Sequence, residues 1–201
     1  MSETVSQDAI GAPFERMLQE HCTPQVVRAI EREGIAAAST ALWQALQVSG
    51  FIDALVPEQQ GGAGLDLQAI HGIFESCGRH TLPLPLGETM IARALLAHAR
   101  QSVPTESIAL GRARREGKDL VCGPVPYART AHWALVQIDA GLVLLACDQA
   151  QHSLLAAHAC AGELRWPAAV LNAKEVMQTN TSLLHAQACV IAGQLAGALS
   201  Q

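Results

Sequence analysis

The chain has 201 residues, half of them apolar and only 15% charged, with a formal net charge of −5. That length allows one or two domains around a sizeable core, and the acidic balance without a basic stripe excludes a nucleic-acid-binding face. The cationic cluster Arg112, Arg114, Arg115 and Lys118 is interrupted by Glu116 and Asp119 and reads as a solvated strand-turn edge.

The first half reads as helical. Phe14, Met17 and Leu18 share one face at i, i+3, i+4. Thr23-Pro24 looks like a cap with proline at the first helical position, opening a helix through Val26, Val27 and Ile30 that Gly34 stops. A third helix spans about 39–48 on the stripe Leu42, Trp43, Leu46, and Ser49-Gly50 ends it. The segment from Pro57 to Gly64 is the strongest punctuation in the chain and predicts a tight, glycine-shaped turn. Asp66 is then expected to cap a helix with the face Leu67, Ile70, Phe74, Cys77, ended by Gly78. Pro83 and Pro85 force an extended corner before a further helix carrying Met90, Ile91, Leu95 and Leu96.

After Pro104 the period falls from 3.6 to about 2. Residues 107–113 and 120–125 read as strands around a turn at Gly117, and 133–138 and 142–147 as a hairpin across Asp139-Ala140-Gly141. Strand character weakens from His152 to Val170. From Thr181 the helical period returns, with Leu183, Leu184, Val190, Ile191, Leu195 and Leu199 as its stripe and very small residues elsewhere. The fold class expected is α+β: a helical bundle over 1–103, a small β-barrel-like domain over 104–178, and one terminal helix over 179–201.

Six cysteines without CxxC pairing, and an amino terminus without an apolar leader, fit buried thiols in a cytoplasmic protein. No stretch qualifies as a membrane span; 183–199 is short and carries His185, Gln187 and Gln194. The eight histidines show no zinc spacing, and His71 with Glu75 at i, i+4 is too few ligands for a metal site. Gly61-Gly62-Ala63-Gly64 lacks the Lys-Ser/Thr of a phosphate loop, and no GxSxG elbow is present. The glutamates are scattered, and spacing singles none of them out as an acid or base.

The order of motifs nevertheless resembles a known family. Trp43 to Leu46, Ser49-Gly50-Phe51 and Val56 to Leu65 are similar to the amino-terminal helical domain of acyl-CoA dehydrogenases. Phe74-Glu75 with Gly78-Arg79, and the corner Leu84-Pro85-Leu86 with Glu88-Thr89, resemble the next helix and turn in the degradative bacterial branch that includes steroid side-chain enzymes. Gly123 to Arg129 and Ala161 to Arg165 resemble that branch's middle barrel. The resemblance implies a helical domain, a β barrel and a four-helix domain, with FAD between barrel and helices. It implies desaturation of an acyl-CoA between Cα and Cβ, a carboxylate taking the α proton while hydride passes to the flavin.

The sequence departs from the family pattern in three places. No Thr-Glu/Gly-Ser-Asp loop follows Ile108 to Arg115, the Trp-Ile-Thr segment is replaced around Val125 to Thr130, and the chain stops where the base-carrying domain would begin. No catalytic residue is therefore expected here, and Tyr127, Arg129 and Thr130 are carried over as flavin neighbours. The resulting expectation is a reduced subunit that shares FAD and acyl-CoA with a full-length partner, or self-associates. Two alternatives stand beside it: a working flavoenzyme fragment, and a non-catalytic module that binds acyl-CoA or a partner after losing flavin and base.

Overall fold

The structure is a computed structural model and describes residues 7–154, 160–172, 175–179 and 181–200. Five helices come first: α1 (Gln7–His21), α2 (Pro24–Glu33), α3 (Ala37–Val48), α4 (His71–Arg79) and α5 (Leu86–His98). Strands β1 (Ile108–Glu116), β2 (Asp119–Val125), β3 (Trp133–Ile138), β4 (Gly141–Ala146), β5 (Gln151–Leu154) and β6 (Gly162–Trp166) follow, then the short α6 (Ala168–Asn172) and the long α7 (Leu183–Leu199). The α+β architecture expected from the periodicity is present, helices first, sheet next and a helix last.

The local signals act where their chemistry places them. The Thr23 hydroxyl accepts from the Val26 N–H, with Pro24 opening α2, and Gly34 turns the chain away at φ 71°. The turn after Pro57 is a single 3₁₀ turn closed by Gly61 and Gly64, both at positive φ. Helix α4, however, begins at His71, not at Asp66. The Asp66 carboxylate accepts from Ala69 N–H at 2.8 Å and so caps a separate turn, which leaves Leu67 41% exposed. Gly78 does not end α4 either, because the helix continues to Arg79.

The sheet order is β4-β3-β1-β2-β6-β5. All pairings are antiparallel except β1 with β3. Strand β1 divides its length: 108–112 pair with β3 and 113–116 with β2, so it is the line along which the sheet bends. Trp166 of β6 reaches across the interior and donates its indole N–H to Ala146 O of β4 at 2.8 Å, which holds the sheet in a curl. The curl encloses a small-residue core of Cys122, Ala134, Val136, Val143, Leu145 and Leu164.

Hydroxyl and amide contacts sew helices to sheet. Trp43 Nε1 and Gln47 Nε2 both donate to Thr105 O, at 3.2 and 2.8 Å. Thr89 Oγ1 of α5 accepts from Ile108 N–H at 2.9 Å, at the first residue of β1. The Trp43 and Thr89 bonds are half-buried and buried, so each leaves an orphaned polar group when cut, whereas the Gln47 bond is exposed.

Helix α7 packs on α4 through glycine. A Cβ on Gly78 would lie 1.8 Å from Gln194 O, and one on Gly197 would lie 1.8 Å from Glu75 O. The large residues of the expected stripe divide: Leu183 and Val190 are buried, whereas Leu184, Ile191, Leu195 and Leu199 face outward. Two substitutions in one helix test this reading. Gly72 has only an ordinary contact at 3.8 Å, so Gly72→Ala should stabilise by roughly 0.5–1 kcal/mol through helix propensity. Gly78→Ala should destabilise by about 1–3 kcal/mol through overpacking. Urea midpoints read both, and equal shifts for the pair would refute the close helix crossing.

Candidate functional site

The sequence places one charged residue, Glu88, in the apolar run from Leu82 to Ala92. The structure carries it inside. Glu88 is in the first turn of α5 at 1% exposure, and neither carboxylate oxygen has a hydrogen-bond partner among the described residues. It is also the one buried charged side chain among them. Burial pushes its carboxyl up from 4.5 to about 7, and its own backbone N–H pulls it back by less.

Its surroundings come from three other elements. The Cys77 thiol of α4 and the Tyr127 phenol, in the loop between β2 and β3, both feel its charge. Burial raises each of these groups well above its ordinary range, and Glu88 adds to both shifts. Helix α7 closes over the group. Gln194 Nε2 donates to Tyr127 Oη at 3.3 Å, and Val190 presses on Gly87 so closely that a Cβ there would lie 2.6 Å from its Cγ1. A carboxyl of this kind, neutral or charged near pH 7, is suited to hold or release a proton.

The three residues carried over as flavin neighbours lie in one short loop, yet their polar atoms face different parts of the chain. Tyr127 is held by α7 as described. The Arg129 guanidinium donates to Arg32 O at the end of α2, with its stem against Gly34. Thr130 is buried and donates from Oγ1 to Pro83 O at 3.0 Å, while its own carbonyl accepts from Ser107 Oγ. Together they fasten the β2–β3 loop to α2, to the proline corner and to α7.

Other candidates resolve into structure. Glu15 binds Arg79 at 2.9 Å and His80 at 2.6 Å, pinning α1 to α4. Burial pushes its carboxyl up, but hydrogen bonds to Ser76 and His80 with the nearby positive charges outweigh it and lower it. Among the described residues no group of three or more His, Cys, Asp or Glu is placed to hold a metal ion. No helix there is long and apolar enough to cross a membrane. The six cysteines are unpaired, and Cys22, Cys77, Cys122 and Cys147 are buried. His158 lies outside the described residues.

The state of Glu88 has a measurable consequence. Its folded value lies above its unfolded one, so its contribution is fully present below pH 4.5 and is lost as pH rises through 7. The loss amounts to about 3 kcal/mol over that window. Glu88→Gln should flatten the fall in unfolding free energy between pH 5 and 8, read by urea titration at each pH. A slope identical to wild type would show that the carboxyl titrates normally.

The sequence is 30% identical over 96 residues to the acyl-CoA dehydrogenase IpdE2 of Mycolicibacterium smegmatis, covering 47% of this chain and 30% of that protein. The fold superposes on a variant of the Tcur3481-Tcur3483 steroid ACAD with a TM-score of 0.73 at 20% identity, over 96% of this chain and 63% of that one. It superposes on the ChsE4-ChsE5 complex from Mycobacterium tuberculosis with a TM-score of 0.71 at 17% identity, over 100% of this chain and 64% of that one. The chain thus spans under a third of its sequence relative and under two thirds of either solved chain. The family described as acyl-CoA dehydrogenase, N-terminal domain, matches residues 4–104. That match takes in α1 to α5, half of the chain including Glu88 and its proline corner, and the chain belongs to the acyl-CoA dehydrogenase family.

Proposed function

We propose that this chain is a subunit of an acyl-CoA dehydrogenase that works with a full-length partner in the FAD-linked α,β-desaturation of an acyl-CoA. The observation that carries the reading is the outer face of α7. Four of the seven large apolar residues exposed in the described chain lie on it: Leu184 at 63%, Ile191 at 39%, Leu195 at 57% and Leu199 at 85%. The helix carries no Asp, Glu, Lys or Arg, and a face of this kind marks a surface that another polypeptide covers. Two of the solved proteins sharing this fold are named as pairs, Tcur3481-Tcur3483 and ChsE4-ChsE5, which supports a heteromeric assembly.

FAD, when bound, takes the hydride that leaves the β carbon of the thioester. Tyr127, Arg129 and Thr130 each already make a polar contact within the chain, to Gln194, Arg32 and Pro83. In this proposal the three residues form a flavin-facing wall through ring and backbone, and the partner provides the polar donors and the base. The same contacts favour the second reading, a non-catalytic module that binds acyl-CoA or the partner without turnover.

Co-expression with a full-length acyl-CoA dehydrogenase subunit, followed by size exclusion, separates these readings. The expected result is one co-eluting species with an oxidised-flavin absorbance band that an acyl-CoA bleaches, and Leu195→Glu should weaken the association at least tenfold. A colourless complex that binds acyl-CoA supports the second reading. Independent elution of the two chains with no gain in flavin ends the first.

A further inference from the structure

Glu88 meets α7 through its neighbours, Gly87 against Val190 and Tyr127 against Gln194, and α7 is the helix whose outer face is left uncovered. The carboxyl is buried, with Cys77 of α4, Tyr127 of the β2–β3 loop and Val190 of α7 around the start of α5, and it has no hydrogen-bond partner among the described residues. A buried unpaired carboxylate regains solvation only if one of the enclosing elements moves. Helix α5 is fixed to β1 through Thr89 and Ile108, and the loop is fixed through Thr130 to Pro83. Helix α4 is fixed to α1 through Glu15, Arg79 and His80. Helix α7 has weaker polar moorings: Gln194 to Tyr127 at 3.3 Å, Gln187 to Leu110 O at 3.4 Å, and Leu183 N–H to Gln137 Oε1 at 3.3 Å.

We propose that Glu88 is a proton-controlled latch on α7, which seats the helix against α4 while the carboxyl is neutral and releases it when the carboxyl ionises. The ionisable groups facing Glu88 are Cys77 from α4 and Tyr127 from the loop, both neutral at these pH values. Cys22 and Glu15 act on Cys77, and Cys160 on Tyr127. Strand β1 meets α5 with the apolar Ile108 and Leu110, the ionisable groups of α7 are the exposed His185 and Cys189, and Arg93 of α5 is spent on Asp53 at 2.6 Å. No cation faces the carboxylate from these elements, so its charge is relieved by water alone. The consequence for assembly, a partner-docking helix seated differently on either side of neutral pH, rests on the reading of α7 given above. The latch itself does not.

The test is hydrogen exchange on the full chain between pH 5.5 and 8.5, corrected for the intrinsic pH dependence of amide exchange. The opening constant of residues 183–199 should rise about thirtyfold over that range in wild type and stay within about threefold in Glu88→Gln. Residues 24–48 should show no such rise in either protein. A pH-independent α7, a rise that persists in Glu88→Gln, or a rise shared by every helix overturns the proposal. A second readout needs no variant. Tyr127 is the one tyrosine of the chain, so ring-labelled tyrosine gives a single NMR signal beside Glu88. That signal should move with the same midpoint as the exchange, and a signal static from pH 5 to 9 overturns the latch. If both readouts behave as expected while the partner binds at no pH, the latch stands and the docking reading falls. If the partner binds equally at every pH while α7 stays protected, the latch falls.

Discussion

Helix α7 lies on α4 at backbone distance, and the positions of Glu88, Tyr127 and the outer apolar face all follow from that. Glycines at 78, 193 and 197 let the two helices close until a methyl group at any of the three would collide with backbone or with Phe74. Close approach removes water from the top of α5 and brings Gln194 over the Tyr127 hydroxyl. It also fixes which way the large side chains of α7 must turn. With the crossing given to glycine, Leu184, Ile191, Leu195 and Leu199 turn outward, while Leu183 and Val190 stay inside. An enclosed acid and an uncovered hydrophobic surface are thus two results of one packing choice.

Keeping Glu88 unpaired in such a place is expensive, and the fold tolerates it because the group is neutral over part of the accessible range. The helix dipole at the start of α5 favours a negative charge there, yet burial wins and lifts the carboxyl to about 7. Natural cores rarely keep an orphaned carboxyl for its own sake, since an apolar residue of similar volume packs as well or better. Glu15 shows the ordinary solution elsewhere in the helical half, with the Arg79 guanidinium and the His80 ring in direct contact.

Much of the architecture was legible in the residues. The change of period after Pro104, the hairpin at Asp139-Ala140-Gly141 and the Thr23-Pro24 cap all report local chemistry, and local chemistry is what a single chain displays. The failures have one physical character. Asp66 signals a capped turn whether or not a helix follows. Gly78 and Gly197 look like terminators or fillers until the partner helix is known. The division of the α7 stripe into buried and exposed halves depends on α4, more than a hundred residues earlier. The parallel contact of β1 with β3 is likewise non-local. Spacing does not single out Glu88, although its isolation among Leu82, Leu84, Leu86, Met90 and Ile91 marks it as a charge in an apolar segment. Tyr127, Arg129 and Thr130 were drawn from family likeness, and the roles of their side chains in binding the loop could not be read from type or order.

The short segment around Met177 gives β4 an uncommon property for an edge strand. Met177 exchanges two 2.8 Å backbone bonds with Leu142, Gln178 donates to Ala140 O, and the Met177 carbonyl sits where any Cβ on residue 141 would be. The outer rail of the sheet is thereby occupied at the hairpin, where a foreign strand would otherwise begin to zip. A strand adding at this edge would first have to displace that segment.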